Sequence, residues 1–301
     1  MNLENPKKFK LLADQAHEVA VNFFRPISRK YDKAEHAYPK ELDMLASLLD
    51  GMNEGSDSAT GAATAGKRGA VREEGIRNGS NMSTALGVIE LCYGDTGLLL
   101  TMPRQGLGNS AIAAVANDEQ LERFAGKWAA MAITEPGTGS DSANIRTTAV
   151  KDGDDYIING EKIYVTCGER ADCVVVWATL DKNLGRAAIK SFVVERGTPG
   201  MEVARLEHKL GIKASDTAAL NFTDCRVPAA NLLGNPEIDV AKGFAGVMET
   251  FDNTRPLVAA MAVGCAKASL ERIKELFKDQ LDANYATPLL NTSHIAATIY
   301  R

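Results

Sequence analysis

Residues 131–141, which read MAITEPGTGSD, decide how the rest of the chain is interpreted. The stretch opens as a short apolar run and turns into a loop with glycine at positions 137 and 139, surrounded by hydroxyl and carboxylate side chains. Glycine lets a backbone turn sharply and lets another group approach it closely. The stretch is therefore either a solvated loop or a backbone cradle for an anionic or heteroaromatic ligand, and the flanking sequence has to distinguish the two.

The sequence that flanks this loop, from Ala129 to Pro228, has the two-residue period of β-strands. Asp152-Gly153 and Asn159-Gly160 are dipeptides typical of hairpin turns. They flank TTAV, YII and KIYVT, and the further strand candidates are CVVVWATL, SFVVER and AALNFTDCRVP. No G-x-G-x-x-G opens a helix after a strand, so a Rossmann unit is not supported. We expect an antiparallel β-barrel or sandwich domain at residues 129–236.

Helical periodicity dominates on both sides of this domain. Residues 1–128 predict an all-helical domain, and the apolar residues that follow Gly243 predict one long helix in which Pro256 causes a kink or a local break. Within residues 51–70, 14 of 20 are Gly, Ala, Ser or Thr, so we expect a mobile insert at 51–84. The fold class is therefore α+β, with residues 237–301 as the start of an incomplete C-terminal helical bundle.

Composition and charge exclude several classes of protein. The net charge of −5 argues against a nucleic-acid binder, and no apolar run reaches the length of a membrane span. The first residues, MNLENPKKFKLL, resemble neither a signal peptide nor a transit peptide. The five cysteines are scattered without CxxC spacing, so no metal site is expected and reduced thiols in a cytoplasmic protein are favoured.

Five motifs, in order along the chain, resemble the acyl-CoA dehydrogenase family, and the last is similar to its medium-chain members. They are RPISRKYD, TEPGTGSD, DDYIINGEKIYVTCG, LGIKASDTAALNFTDCRVP and FDNTRPLVAAMAVGCAKASLE. The resemblance covers nearly the whole chain except the insert and about the last twenty residues. It implies an FAD-dependent enzyme that oxidises an acyl-CoA thioester to the enoyl-CoA and passes hydride to flavin N5. It also implies a homo- or hetero-oligomer with an electron-transfer flavoprotein as electron acceptor.

The resemblance also assigns residues to ligands. The flavin would contact Met131, Ile133, Thr134, Gly139, Ser140, Tyr164, Val165 and Thr166. The substrate would contact Ser140, Asp252, Asn253, Thr254 and Arg255. Tyr164 stands where many members have tryptophan. Two purely structural alternatives remain open. Thr134 and Thr166 are then ordinary strand residues, and Asp252 forms a helix-surface ion pair with Arg255.

Two departures from the family pattern affect the predicted activity. The family's base is a glutamate that would lie beyond Arg301, or in a minority a residue at the position of Thr254; Glu249 is off that position, so the catalytic residue is unknown. The family's R-x-x-F-G segment, which holds the FAD tail, is replaced by KDQLDANYATPLL. We therefore expect the 301-residue chain alone not to complete the reaction. The alternatives are a non-catalytic or half-site subunit of a heteromer, or a flavin acyl-CoA oxidase; the acyl chain is undetermined.

Overall fold

A computed structural model of the chain describes residues 7–53, 80–104, 107–238 and 245–277. Most of the predicted mobile insert, residues 54–79, lies outside the described residues. So do the segment that replaces R-x-x-F-G (278–290) and the end of the predicted C-terminal bundle (291–301).

Eight α-helices lie in the described part of the chain. They are α1 (Lys10–Val19), α2 (Arg25–Lys33), α3 (Glu41–Asn53), α4 (Ser80–Gly94), α5 (Thr96–Leu100), α6 (Leu107–Val115), α7 (Asp118–Phe124) and α8 (Ala245–Leu276). A π-helical turn, Ala20–Phe24, joins α1 to α2. The helix α3 begins close to Pro39, whose carbonyl oxygen accepts a hydrogen bond from Leu42 N. The apolar run at 87–102 lies in two helices, α4 and α5, which are separated at Asp95.

Seven strands form one curled mixed sheet. They are β1 (Ala129–Ala132), β2 (Thr148–Asp152), β3 (Asp155–Thr166), β4 (Cys173–Thr179), β5 (Ile189–Glu195), β6 (Met201–Leu206) and β7 (Thr217–Pro228). Their order is β1-β4-β2-β3-β7-β6, and β5 pairs with β4. Most pairings are antiparallel, as predicted, but β4 runs parallel to β1 and, at a single position, to β2. The α+β class and the sequence of helices, sheet and helix confirm the predicted fold.

The two predicted hairpin turns have different outcomes. Asp152 pairs with Asp155 across a two-residue turn, and Gly153 has φ +61°, as such a turn requires. Asn159-Gly160 makes no turn, because β3 continues through it and the register with β7 shifts between Ile158 and Gly160. This position is a β-bulge. Gly160 has φ +152°, and a Cβ on it would lie 2.5 Å from Thr147 Oγ1, so glycine serves close packing here.

The sheet has apolar side chains on both faces. All seven residues of β4 are buried. Alternate residues of this strand enter two different core clusters: Val174, Val176 and Ala178 enter one, and Cys173, Val175 and Trp177 enter the other. A strand covered on both faces reads as a continuous hydrophobic run, which explains the sequence CVVVWAT.

The described residues divide into two compact units. One contains the sheet and residues 27–53, 97–104, 107–238 and 245–256. The other contains residues 7–26, 80–96 and 257–277, and in it Lys267 Nζ lies 2.7 Å from Glu90 Oε2. The helix α8 is continuous through Pro256, so the predicted break there is wrong, and the division between the units falls at this proline.

Candidate functional site

The loop that carries TEPGTGSD is attached to the strand that carries the second predicted flavin segment. Ile163 N donates to Thr134 O at 2.9 Å. Lys162 Nζ donates to Ile133 O at 3.1 Å. The two segments are about thirty residues apart in the chain, and these bonds place them side by side. The geometry of one segment therefore depends directly on the geometry of the other.

A tight reverse turn shapes the loop itself. The main chains of Glu135 and Thr138 exchange two hydrogen bonds, each 3.1 Å long. Gly139 and Ser140, which follow the turn, are exposed. A Cβ on Gly139 would have no described atom within 4 Å, so the protein's own packing does not require glycine at this position. The outer side of the turn is open.

A buried carboxylate holds this turn from the inside. Glu135 Oε1 lies 2.8 Å from Lys162 Nζ, and the side chains are 6% and 0% exposed respectively. The same carboxylate accepts hydrogen bonds from Arg146 N, Thr147 N and Thr147 Oγ1. Such a network satisfies a buried charge that would otherwise be costly. The sequence motifs contain Glu135 and Lys162, but nothing in their spacing predicted that the two would pair.

Burial and pairing both affect how this ion pair titrates. Burial lowers the pKa of Lys162 to about 8, against the attraction of Glu135. Burial also acts to raise the pKa of Glu135, but the charge of Lys162 and the hydrogen bonds outweigh it, so the pKa is lowered. Both groups therefore carry charge at neutral pH.

The end of β3 presents an exposed aromatic ring. Tyr164 is 63% exposed and has φ +57°, at a register shift between Lys162 and Val165. A non-glycine residue in this backbone region costs energy and is concentrated at functional sites. Val165 is buried and Thr166 is half-buried. Within the described residues, no hydrogen bond is made by the hydroxyl of Thr134 or of Thr166.

The first turns of α8 pack on the core that lies next to this loop. Val247 and Phe251 belong to the same cluster as Ile133 and Met131. Thr254 is buried, and its hydroxyl donates to Phe251 O at 3.4 Å. The predicted substrate residue Asn253 lies in the same helix.

Asp252 and Arg255, the other predicted substrate residues on α8, contact each other. Arg255 Nη1 lies 3.7 Å from Asp252 Oδ1, and both side chains are exposed. The guanidinium also lies 5.1 Å from the centre of the Phe251 ring. A weak exposed pair of this kind leaves the arginine available to another anion. The substrate role of both residues stays a prediction.

The residues at this site fit a flavin. The hydroxyls of Thr134 and Thr166, which have no partner within the described ranges, offer hydrogen bonds, and the exposed Tyr164 offers an aromatic face. The open side of Gly139 leaves room for a planar ring. In the loop, Thr138 Oγ1 is buried with no partner among the described residues, a state that calls for a ligand or water. FAD, the cofactor that the five motifs imply, is therefore compatible with the side chains and the open turn at this site.

Comparison with known proteins identifies the family. A family model described as acyl-CoA dehydrogenase, middle domain, matches residues 130–225. Acryloyl-CoA reductase (NADH) of Anaerotignum propionicum is 30% identical over 98% of this chain and 72% of its own length. The short-chain-specific acyl-CoA dehydrogenase of Megasphaera elsdenii is 35% identical over 93% and 71%. The solved structure of butyryl-CoA dehydrogenase from M. elsdenii covers 100% of this chain and 76% of its own, with TM-score 0.77 and 30% identity.

The chain belongs to the acyl-CoA dehydrogenase family. It is accordingly an oxidoreductase of the flavoprotein class, and its cofactor is FAD. Within the described residues, no helix is both long enough and apolar enough to cross a membrane.

Proposed function

We propose that this chain is a subunit of an enzyme that dehydrogenates an acyl-CoA thioester between the α and β carbons. The observation that carries the proposal is the hydrogen bond between Ile163 N and Thr134 O, which joins the two flavin segments on one side of the sheet. FAD, when bound, accepts the hydride from the β carbon. The protein's part is to hold the ring and the thioester in the right orientation and to exclude water.

Each site residue has a specific part in this proposal. Thr134 and Thr166 offer the ring hydroxyls that have no hydrogen-bond partner among the described residues, and the exposed Tyr164 offers it an aromatic face. Met131, Ile133 and Val165 supply apolar contact, the exposed Gly139 lets the ring approach the backbone, and the exposed Ser140 contacts the pantetheine arm of the substrate. Asp252, Asn253, Thr254 and Arg255 contact the substrate from α8.

The proton step has no base among the residues assigned to this site. Removal of the α-proton needs a carboxylate or a similar base within hydrogen-bond reach. Among the described residues, Thr254 occupies the position where a minority of the family has its base, and a threonine hydroxyl cannot remove the α-proton. The catalytic base therefore remains unassigned.

The threonine at position 254 supports a second candidate function. In it, the chain is a half-site or non-catalytic subunit of a heteromer whose partner, homologous in fold, completes the site. An electron-transfer flavoprotein is the proposed acceptor in the first function, and a cytoplasmic location and an oligomeric state are proposed for both.

Replacement of Thr166 by Val tests the flavin site. The chain is purified with FAD, and the flavin absorption spectrum and the rate of its photoreduction are recorded. We expect Thr166→Val to shift the spectrum and to slow reduction, because the ring loses a hydrogen bond. Thr148→Val is the matched control, since Thr148 is a half-buried strand threonine of the same sheet outside the site. Equal behaviour of the two variants would contradict the proposed site.

A second experiment separates the two candidate functions. The FAD-loaded chain is mixed anaerobically with acyl-CoA thioesters of increasing chain length. Stoichiometric bleaching of the flavin with enoyl-CoA as product would establish the dehydrogenase. Formation of a stable complex with no bleaching would favour the half-site subunit.

A further inference from the structure

A second group of side chains lies in the unit that contains the sheet and has no part in flavin binding. Glu35 and His36 follow the end of α2, and His208 follows β6. One carboxylate oxygen and one ring nitrogen from each histidine all lie within 4.8 Å of one another. Because 172 residues separate the two histidines, only the fold brings these groups together.

A buried arginine fixes the backbone on both sides of this group. Arg170 Nη2 donates to the carbonyl oxygens of His36 and Ala37. Its Nη1 donates to Ala214 O at 3.0 Å, and its Nε lies 3.3 Å from Asp216 Oδ1. The turn after α2 and the loop before β7 are therefore attached to one rigid guanidinium. The positions of Glu35 and His36 relative to His208 follow from this attachment.

The three side chains differ in how their polar atoms are used. Glu35 Oε2 lies 3.1 Å from His208 Nδ1, and Glu35 Oε1 accepts from Lys209 N at 2.9 Å. Both ring nitrogens of His36 are buried and have no partner among the described residues. His36 also has φ +68°, an unfavourable conformation for a non-glycine residue. A strained residue with two unpartnered imidazole nitrogens needs an explanation that the Glu35–His208 contact does not give.

We propose that Glu35, His36 and His208 form a binding site for a divalent transition-metal ion of the zinc type. Two imidazoles and one carboxylate are the ligand set that zinc accepts, with water in the remaining position. Ligands of one tetrahedral zinc ion lie about 3.3 Å apart, and the three ligand atoms lie within 4.8 Å of one another, so the widest pair must close by up to about 1.5 Å. His208 can supply this movement, because its side chain is 86% exposed. The bound ion ties the turn after α2 to the loop between β6 and β7.

The surrounding charges set the strength of the site. The hydrogen bonds from Lys209 N and His208 hold the pKa of Glu35 at about 2, so the carboxylate is ionised at neutral pH. Lys213 opposes a cation, since its charge lies near enough to Glu35 to lower the same pKa. The ammonium of Lys209 is held away by Ser215 O and Thr217 Oγ1. We therefore expect micromolar rather than nanomolar affinity, and tighter binding in Lys213→Gln.

The test is calorimetric titration of the reduced full chain with Zn²⁺. It is done in a Cys265→Ser background, because Cys265 is an exposed thiol that competes for zinc. We expect one ion per chain. His36→Gln and His208→Gln should each weaken Zn²⁺ binding by about tenfold or more, because even the loss of a residue that only hydrogen-bonds to a metal ligand has an effect of that size.

His17→Gln is the matched control, and it discriminates between the outcomes. His17 Nδ1 lies 2.8 Å from Glu90 Oε2, so this pair resembles Glu35–His208 but has no second imidazole beside it in the part of the chain that the structure describes. The proposal holds if His17→Gln leaves the affinity unchanged while His36→Gln lowers it. Absence of binding at micromolar Zn²⁺, or binding that persists unchanged in both His36→Gln and His208→Gln, would overturn it. In that case the group is an ordinary histidine–carboxylate pair.

Discussion

Lys162 Nζ lies 2.8 Å from Glu135 Oε1 in the interior of the sheet-containing unit. Glu135 directly follows Thr134, and Lys162 precedes Tyr164 by two residues, so this ion pair joins the two predicted flavin segments. Both side chains of the pair are buried. Its energetic role can therefore be measured separately from flavin binding.

Lys162→Met should lower the free energy of unfolding by about 3–5 kcal/mol, because it leaves a buried carboxylate without its counter-charge. Lys162→Met combined with Glu135→Gln should recover part of this loss, since the amide is neutral and still accepts from Thr147 N. Urea denaturation of the two single variants and the double variant gives the coupling free energy. Strictly additive effects would contradict a direct interaction.

Glu135→Gln should make stability depend on pH in a characteristic direction. Without its partner, Lys162 should titrate further below the pKa of about 8 that it has in the native pair. A depressed pKa in the folded state means that the unfolded chain binds more protons, so stability rises with pH until the unfolded pKa of about 10.4 is reached. Between about pH 6 and 8, the variant should gain stability more steeply than the wild type, and above about pH 8 the two slopes should converge. Parallel pH profiles from urea denaturation would show that Glu135 does not control Lys162.

Replacement by alanine should lower stability at Gly160 and FAD affinity at Gly139. Gly160→Ala should destabilise the fold by about 1–3 kcal/mol, because the new Cβ would lie 2.5 Å from Thr147 Oγ1. Gly139→Ala should leave the stability of the FAD-free chain nearly unchanged, since no described atom lies within 4 Å of its Cβ. It should weaken FAD binding, because the added methyl group occupies the open side of the turn. Thermal unfolding and fluorescence titration with FAD measure the two effects; unchanged FAD affinity would remove Gly139 from the site.

Thr254→Glu should install a base where the family's minority pattern has one. The position is 6% exposed, so burial should raise the carboxylate pKa toward neutrality. We expect flavin reduction by acyl-CoA to be about 100-fold faster than in the wild type, the scale of general base catalysis. Stopped-flow absorbance measures the rate. Val258→Glu, an exposed position one turn further along α8, is the control; equal gains in both variants would refute the assignment.

Local patterns predicted the elements well and their long-range partners poorly. Alternation and turn dipeptides located β2 to β5 and β7, and the motifs placed Thr134 and Thr166 in segments that the structure joins. Asn159-Gly160 was misread because a turn dipeptide and a bulge share the same glycine requirement. Periodicity shows which face of an element a residue occupies, but not which distant residues it contacts. The Glu135–Lys162 pair and the Glu35–His36–His208 group therefore could not be predicted.

Because four of its five thiols are buried, cysteine alkylation can measure how often the folded chain opens locally. Burial raises the pKa of Cys92, Cys167 and Cys173 to about 12 and that of Cys225 to about 11, while Cys265 is exposed. Only the thiolate is readily alkylated, so iodoacetamide should modify one sulfur per folded chain at once. The rate at which the other four become modified then measures how often each part of the core is exposed to solvent, with mass spectrometry assigning the rate to each cysteine.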